Sequence, residues 1–276
     1  MSNVVTRTLS GAIFVGVVVG AILAGALYAA LLINVVIVWS MLEFYNIVIK
    51  ERVRAEKISG VLSGIIIFWG GFFCAQGNIA YSRTLFLLII PMIVLIFISQ
   101  LYSPEKNKLR AIAYTITGIV YIAVPLTMLT SLMFIRPSGE YTPVLLLGFF
   151  LLLWANDTFA YIFGVSFGRH RLFESISPKK SWEGFFGGLA FTLALSILLA
   201  KLMPVIQFLH WIAVAGIIVV FGVFGDLVES LFKRNMKIKD SGNFIPGHGG
   251  ILDRFDSVFI AAPMVYFYLK MIVFRP

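Results

Sequence analysis

Nine apolar stretches follow one another along this 276-residue chain, each close to the ~20 residues that a helix needs to cross a hydrocarbon core of about 30 Å. They fall near residues 8–27, 29–49, 58–76, 84–101, 111–135, 143–168, 184–203, 206–231 and 257–274. Backbone polar groups in lipid must be satisfied within helices or closed barrels, and runs of this length fit helices. The pattern therefore predicts an all-α fold: a polytopic integral membrane protein with about nine transmembrane helices. The composition agrees, since 60% of residues are hydrophobic and 13% charged, far from the usage of a soluble domain. Residues 8–49 are too long an apolar block for one crossing, so a helical hairpin split near Gly25 is expected. Arg7 ahead of an apolar run with small residues at Ala24 and Ala26 also has the form of a signal peptide, but the run continues well past them.

Cytoplasmic loops of membrane proteins hold the excess of Lys and Arg. With nine spans, Arg83, Arg136, Lys201, Lys270 and Arg275 fall on one side and the other 17 of the 22 basic residues on the other. This predicts a cytoplasmic N-terminus and an external C-terminus. The net charge of +9 then reads as positive-inside excess, with attraction to anionic membrane lipids a consequence. Nucleic-acid binding is not expected, because no basic stripe lies on a soluble domain. The single cysteine, Cys74, excludes an internal disulfide or a cysteine metal cluster and is expected to be a buried small apolar residue.

Polarity is asymmetric along the chain. Residues 1–135 form an N-terminal transmembrane scaffold of about five helices, with short connectors and Glu43 as the main buried acid. Residues 143–276 carry nearly everything chemical, in a transmembrane region with cytoplasmic motif loops. Within it, residues 226–256 hold ten of the 35 charged side chains. Asp226, Glu229, Ser230 and Lys233 share one helical face. Asp253 and Asp256 share another beyond the turn Pro246-Gly247-His248-Gly249-Gly250. Glycines there allow close backbone approach, and free N–H groups at a helix start suit an anion. Two acidic faces entering one loop are what a hard cation such as magnesium needs, and neighbouring Lys and Arg would neutralise phosphates. Salt bridges at helix ends and ordinary first-turn acids account for any one of these residues equally well.

Asp157, midway through the sixth span, is costly against lipid and should face the bundle interior or water. Ser177-Pro178-Lys179-Lys180-Ser181 precedes the seventh span, with Ser181 placed to cap it. The paired lysines there are either topogenic or phosphate-binding. His248 fits a hydrogen-bond donor better than a metal ligand, no second histidine being near, while His170 and His210 have no evident partners. Gly187-Gly188 suits close helix packing.

These residues resemble one family. Ser230, Lys233-Arg234, Lys239-Asp240, Gly242, Pro246, His248-Gly249-Gly250 and Asp253-Arg254-Phe255-Asp256 follow the signature of phosphatidate cytidylyltransferases, the CDP-diacylglycerol synthases. Phe224-Gly225-Asp226, Glu229-Ser230, Asp157-Thr158-Phe159-Ala160-Tyr161, Phe167-Gly168-Arg169 and the SPKKS stretch with Glu183-Gly184 are similar too. The likeness is specific over about residues 154–256 and rests on hydropathy and length before that. It implies condensation of CTP with phosphatidic acid to give CDP-diacylglycerol and pyrophosphate, in a bacterial cytoplasmic (inner) membrane with the site facing the cytoplasm. By the resemblance Asp226 and Asp253 bind catalytic Mg2+, with Asp256, Glu229 and Asp157 as second choices and a second cation allowed. Lys239 and Asp240 would lie against the triphosphate and its metal, with His248 as a further catalytic candidate. Ser177, Lys179, Lys180, Lys233, Arg234 and Arg254 would hold substrate phosphates, and Gly249 and Gly250 would lend backbone donors. A homodimer is expected from the resemblance alone. Two other readings compete: a CTP-dependent polyprenol or phytol kinase, which would need a base for its alcohol, and an ion-coupled transporter, whose site belongs nearer the membrane midplane.

Overall fold

The computed structural model describes residues 3–49, 55–104, 106–136, 139–238, 240–242 and 249–275. Helix α1 (Asn3–Ala24) is followed by α2 (Ala26–Val48), α3 (Lys57–Ala75) and α4 (Ile79–Tyr102). Next, α5 (Lys108–Gly118) continues through a π-helical turn, Ile119–Ala123, into α6 (Val124–Ser131). Helix α7 (Val144–Phe167) leads to a hairpin of β1 (Arg171–Phe173) and β2 (Ser177–Ser181). Helices α8 (Trp182–Leu202), α9 (Phe208–Asn235) and α10 (Leu252–Tyr268) complete the chain. Among the described residues eight helical segments are long and apolar enough to cross a membrane, with α5 and α6 together making one of them, and Thr8–Ala24 adds a shorter apolar helix.

The split at Gly25 is where the sequence places it, and φ of +132° there shows why glycine stands at the break. The π turn in the fifth span ends just before Pro125, which has no N–H to give a preceding carbonyl, so the ladder widens there. Three readings are corrected. The ninth span starts five residues earlier than its apolar bound, at Leu252, so Asp253 and Asp256, expected to share a helical face, belong to the spanning helix itself. The connector before α8 contains an antiparallel pair, with Arg171 opposite Ser181 and Phe173 opposite Ser177, within an otherwise helical fold. Cys74 is exposed, on the last turn of α3.

Helix α7 packs on α8, α8 on α9 and α9 on α10, while α10 also meets α2 and α6. Small residues set these approaches. A Cβ at Gly188 of α8 would stand 2.7 Å from Asn156 Oδ1 of α7, and one at Gly225 of α9 would stand 2.8 Å from Ser257 Cα of α10. The second crossing holds the end of α9 against the beginning of α10.

Candidate active site

The ends of α7, α9 and the starts of α8 and α10 meet at one end of the bundle. A cavity of about 720 Å³ lies there, lined by Asn156, Asp157, Ser177, Lys179, Lys180, Asp226 and Ser257 among others. The hairpin holds the lysines in place. Ser181 caps α8 by accepting from Gly184 N at 3.2 Å, as its position suggests, and His170 pairs with Glu183 at 2.6 Å, a partner the sequence does not reveal. Lys180 Nζ reaches Asp226 Oδ2 at 2.6 Å, and Ser230 Oγ donates to Asp226 Oδ1 at 3.1 Å. Arg234 is exposed and its Nε donates to Ile176 O at 3.4 Å, so α9 grips the hairpin twice.

Asp157 is exposed to this cavity, and within electrostatic reach of Asp226, Asp256 and Lys180. This is the placement its cost in lipid demands. It also borders a smaller cavity of about 280 Å³ between α1 and α7, lined by Ser10, Phe14, Trp154 and Arg254. Buried Asn156, next to Asp157 in the chain, lines the larger cavity. Nothing in a lone asparagine beside an acid distinguishes it in the sequence.

A second cluster sits across the α9–α10 contact. Lys233 Nζ pairs with Glu229 on its own helix and with Asp253 Oδ1 at 2.9 Å. Asp253 further accepts from Ser241 N at 3.0 Å and Gly250 N at 2.9 Å. Gly249 has φ of +84°, and a Cβ there would stand 2.6 Å from Asp253 Oδ2. Glu43 of α2 completes the cluster, accepting from Ile251 N at 3.2 Å, Leu252 N at 2.8 Å and Ser241 Oγ at 3.3 Å. The N–H groups of residues 250–252, expected to be free for an anion, are thus already engaged by carboxylates. Asp256 Oδ1 accepts its neighbour's amide, Ser257 N, at 2.5 Å. Asp240 is exposed, and Lys239 and His248 lie outside the described residues.

Asp226 suits magnesium in kind: it is a partly exposed carboxylate on a cavity wall, flanked by two more acids, and its present partners, Lys180 and Ser230, are side chains that a metal with its water and phosphate oxygens could displace. Asp253 suits it less well, its oxygens being taken by Lys233 and two backbone amides. Among the described residues no group of three or more His, Cys, Asp or Glu side chains has the spacing of a ready metal site.

The family model described as the cytidylyltransferase family matches residues 5–272. The chain belongs to that family. It is similar to the phosphatidate cytidylyltransferase of Bacillus subtilis, with 30% identity over 239 residues covering 82% of this chain and 86% of that protein. The Rickettsia bellii protein of the same name is 30% identical over 226 residues, covering 79% and 93%. That of Staphylococcus epidermidis is 37% identical over 182 residues, covering 64% and 66%. The family match takes in the helices before α7 as well, which carried only hydropathy in the sequence motifs.

Proposed function

We propose that this integral membrane protein is a phosphatidate cytidylyltransferase, transferring the cytidylyl group of CTP to phosphatidic acid and releasing pyrophosphate. The observation that carries the reading is the cavity in which Asp157, Asp226, Lys179 and Lys180 converge at the end of an apolar bundle. Family membership and the names of the relatives support it. One substrate comes from water and the other from the bilayer, and a polar cavity at a helix-bundle end serves both. The phosphatidic acid oxygen attacks the α-phosphorus of CTP, the new P–O bond forming as the bond to pyrophosphate breaks. That oxygen is already anionic near neutral pH, so no strong base is needed, and the work is alignment and charge neutralisation.

Lys180 and Lys179 hold phosphate oxygens in the cavity, and Arg254, on the smaller cavity beside Asp157, faces a lipid phosphate. Asp226, with Asp157 and Asp256 alongside, would hold magnesium, which when bound would supply positive charge to offset the triphosphate. Asp253, with Glu229 across Lys233, is the further candidate ligand. The basic residues of the hairpin and of the α9 end lie on the end assigned to the cytoplasm by the 17 to 5 distribution of positive charge. The N-terminus is accordingly inside; the bacterial relatives support a bacterial cytoplasmic membrane, and the family resemblance alone supports a homodimer.

The test is purified protein given radiolabelled CTP and phosphatidic acid, with and without magnesium. Magnesium-dependent CDP-diacylglycerol is expected. Its absence, where a known synthase makes product under the same conditions, overturns the proposal.

A further inference from the structure

Glu43 belongs to the scaffold half of the chain, yet its buried carboxylate makes its hydrogen bonds at the motif loop. Oε1 accepts from Ile251 N, and Oε2 from Leu252 N and Ser241 Oγ. A buried carboxylate is tolerated only when it is well hydrogen-bonded, and three donors serve this one. Two of those donors are backbone groups at the start of α10, where an anion also meets the favourable end of the helix dipole. Ser241 serves two carboxylates at once, giving its hydroxyl to Glu43 and its N–H to Asp253. The loop glycines lie flat on the same group: a Cβ at Gly242 would stand 2.6 Å from Glu43 Oε1, and one at Gly250 would stand 2.8 Å from Glu43 Cδ. Both ends of the segment 242–250 are therefore fastened to one side chain of α2.

We propose that Glu43 is a positioning residue of the cytidylyl transfer: through Ser241 and the first turn of α10 it fixes Asp253, and the neighbouring Arg254, against the substrates. The proposal rests on the reading that Asp253 belongs to the active site. Chemistry discriminates the variants. Glutamine has one acceptor oxygen, so its amide N–H would confront the N–H of Ile251 or Leu252. Aspartate keeps both oxygens and withdraws them by one methylene.

The experiment compares Glu43→Gln, Glu43→Asp and Asp253→Asn as purified full-length proteins, with kinetic constants taken per folded, monodisperse molecule and hydrogen exchange followed over residues 249–255. Glu43→Gln is expected to lose about 10²-fold in kcat, the cost of a misplaced catalytic group. Its KM for phosphatidic acid should stay within about twofold, exchange at 249–255 should quicken, and Glu43→Asp should recover about a tenth of wild-type kcat. Wild-type constants in the folded fraction of Glu43→Gln, even where that fraction is small, would mean that Glu43 serves stability alone and would overturn the proposal. So would an Asp variant no more active than the Gln variant. Near-full turnover by Asp253→Asn removes the premise itself, an outcome separable from both.

Discussion

Lys180 and Lys233 each hold a carboxylate of α9 or α10, but in opposite surroundings. The Lys180–Asp226 pair keeps 24% and 31% of its side-chain surface exposed on the wall of the large cavity. The Lys233 pairs with Glu229 and Asp253 are sealed, with 14%, 1% and 11% exposed. One bond between unlike charges is thus a contact that water and substrate can reach, and the other a closed network fastened by backbone amides. An exposed pair contributes little to stability and exchanges partners readily. A buried network is costly to break, because each lost member strands a charge. The open wall is suited to taking up phosphate, and the largely closed wall to keeping α9, α10, the loop and with them Asp253 in register.

The largest effect should follow from Lys233→Met, which leaves Glu229 and Asp253 facing each other in a dry contact. A loss of about 3–5 kcal/mol is expected, read as a lowered melting temperature and yield in detergent, and partly restored by adding Glu229→Gln. A stable Lys233→Met protein would show that the wall is not sealed. Next is Asp226→Asn, which should keep the fold and cut kcat by about 10²–10³-fold, as removal of a preorganised charge does. Turnover within about tenfold of wild type in the radiolabelled CTP assay would take Asp226 out of the site.

Lys180→Met sharpens the contrast. Stability should change by about 1 kcal/mol or less, while kcat/KM for CTP falls roughly tenfold, about 1.4 kcal/mol of lost phosphate neutralisation. A stability loss as large as that of Lys233→Met would erase the difference between the two walls. Cys74→Ser marks the small end of the scale. Lying exposed away from both walls, it should alter melting by less than about 0.5 kcal/mol and leave activity unchanged.

Hydropathy made the bundle legible, down to the break at Gly25, because lipid selects on every residue of a span and leaves a long, redundant signal. Asp157, Lys180 and Asp226 were each legible as polar residues at the membrane edge, since charge there is rare, but the pattern grouped Asp226 with Asp253 rather than with the lysine that pairs with it. The rest depended on tertiary partners that no local pattern encodes. The hairpin at 171–181 has too few residues for a strand period to emerge, and its register serves Lys180 rather than a sheet. The early start of α10 escaped because Asp253 and Arg254 interrupt the apolar run, although their helix is held by Glu43. Glu43 stood out as a lone acid, but its role could not be read without Ile251 and Leu252.

The hydrogen bond from Ile251 to Glu43 joins residues 208 positions apart, and this separation bears on how the molecule is made. At about 5–20 residues per second of synthesis, α2 precedes α10 by roughly 10–40 s. Throughout that interval an acid sits in a nascent bundle without the amides that will receive it, so the early helices are born incomplete. Only the arrival of α10 relieves them, which ties the joining of scaffold and motif loop to the synthesis of that one helix.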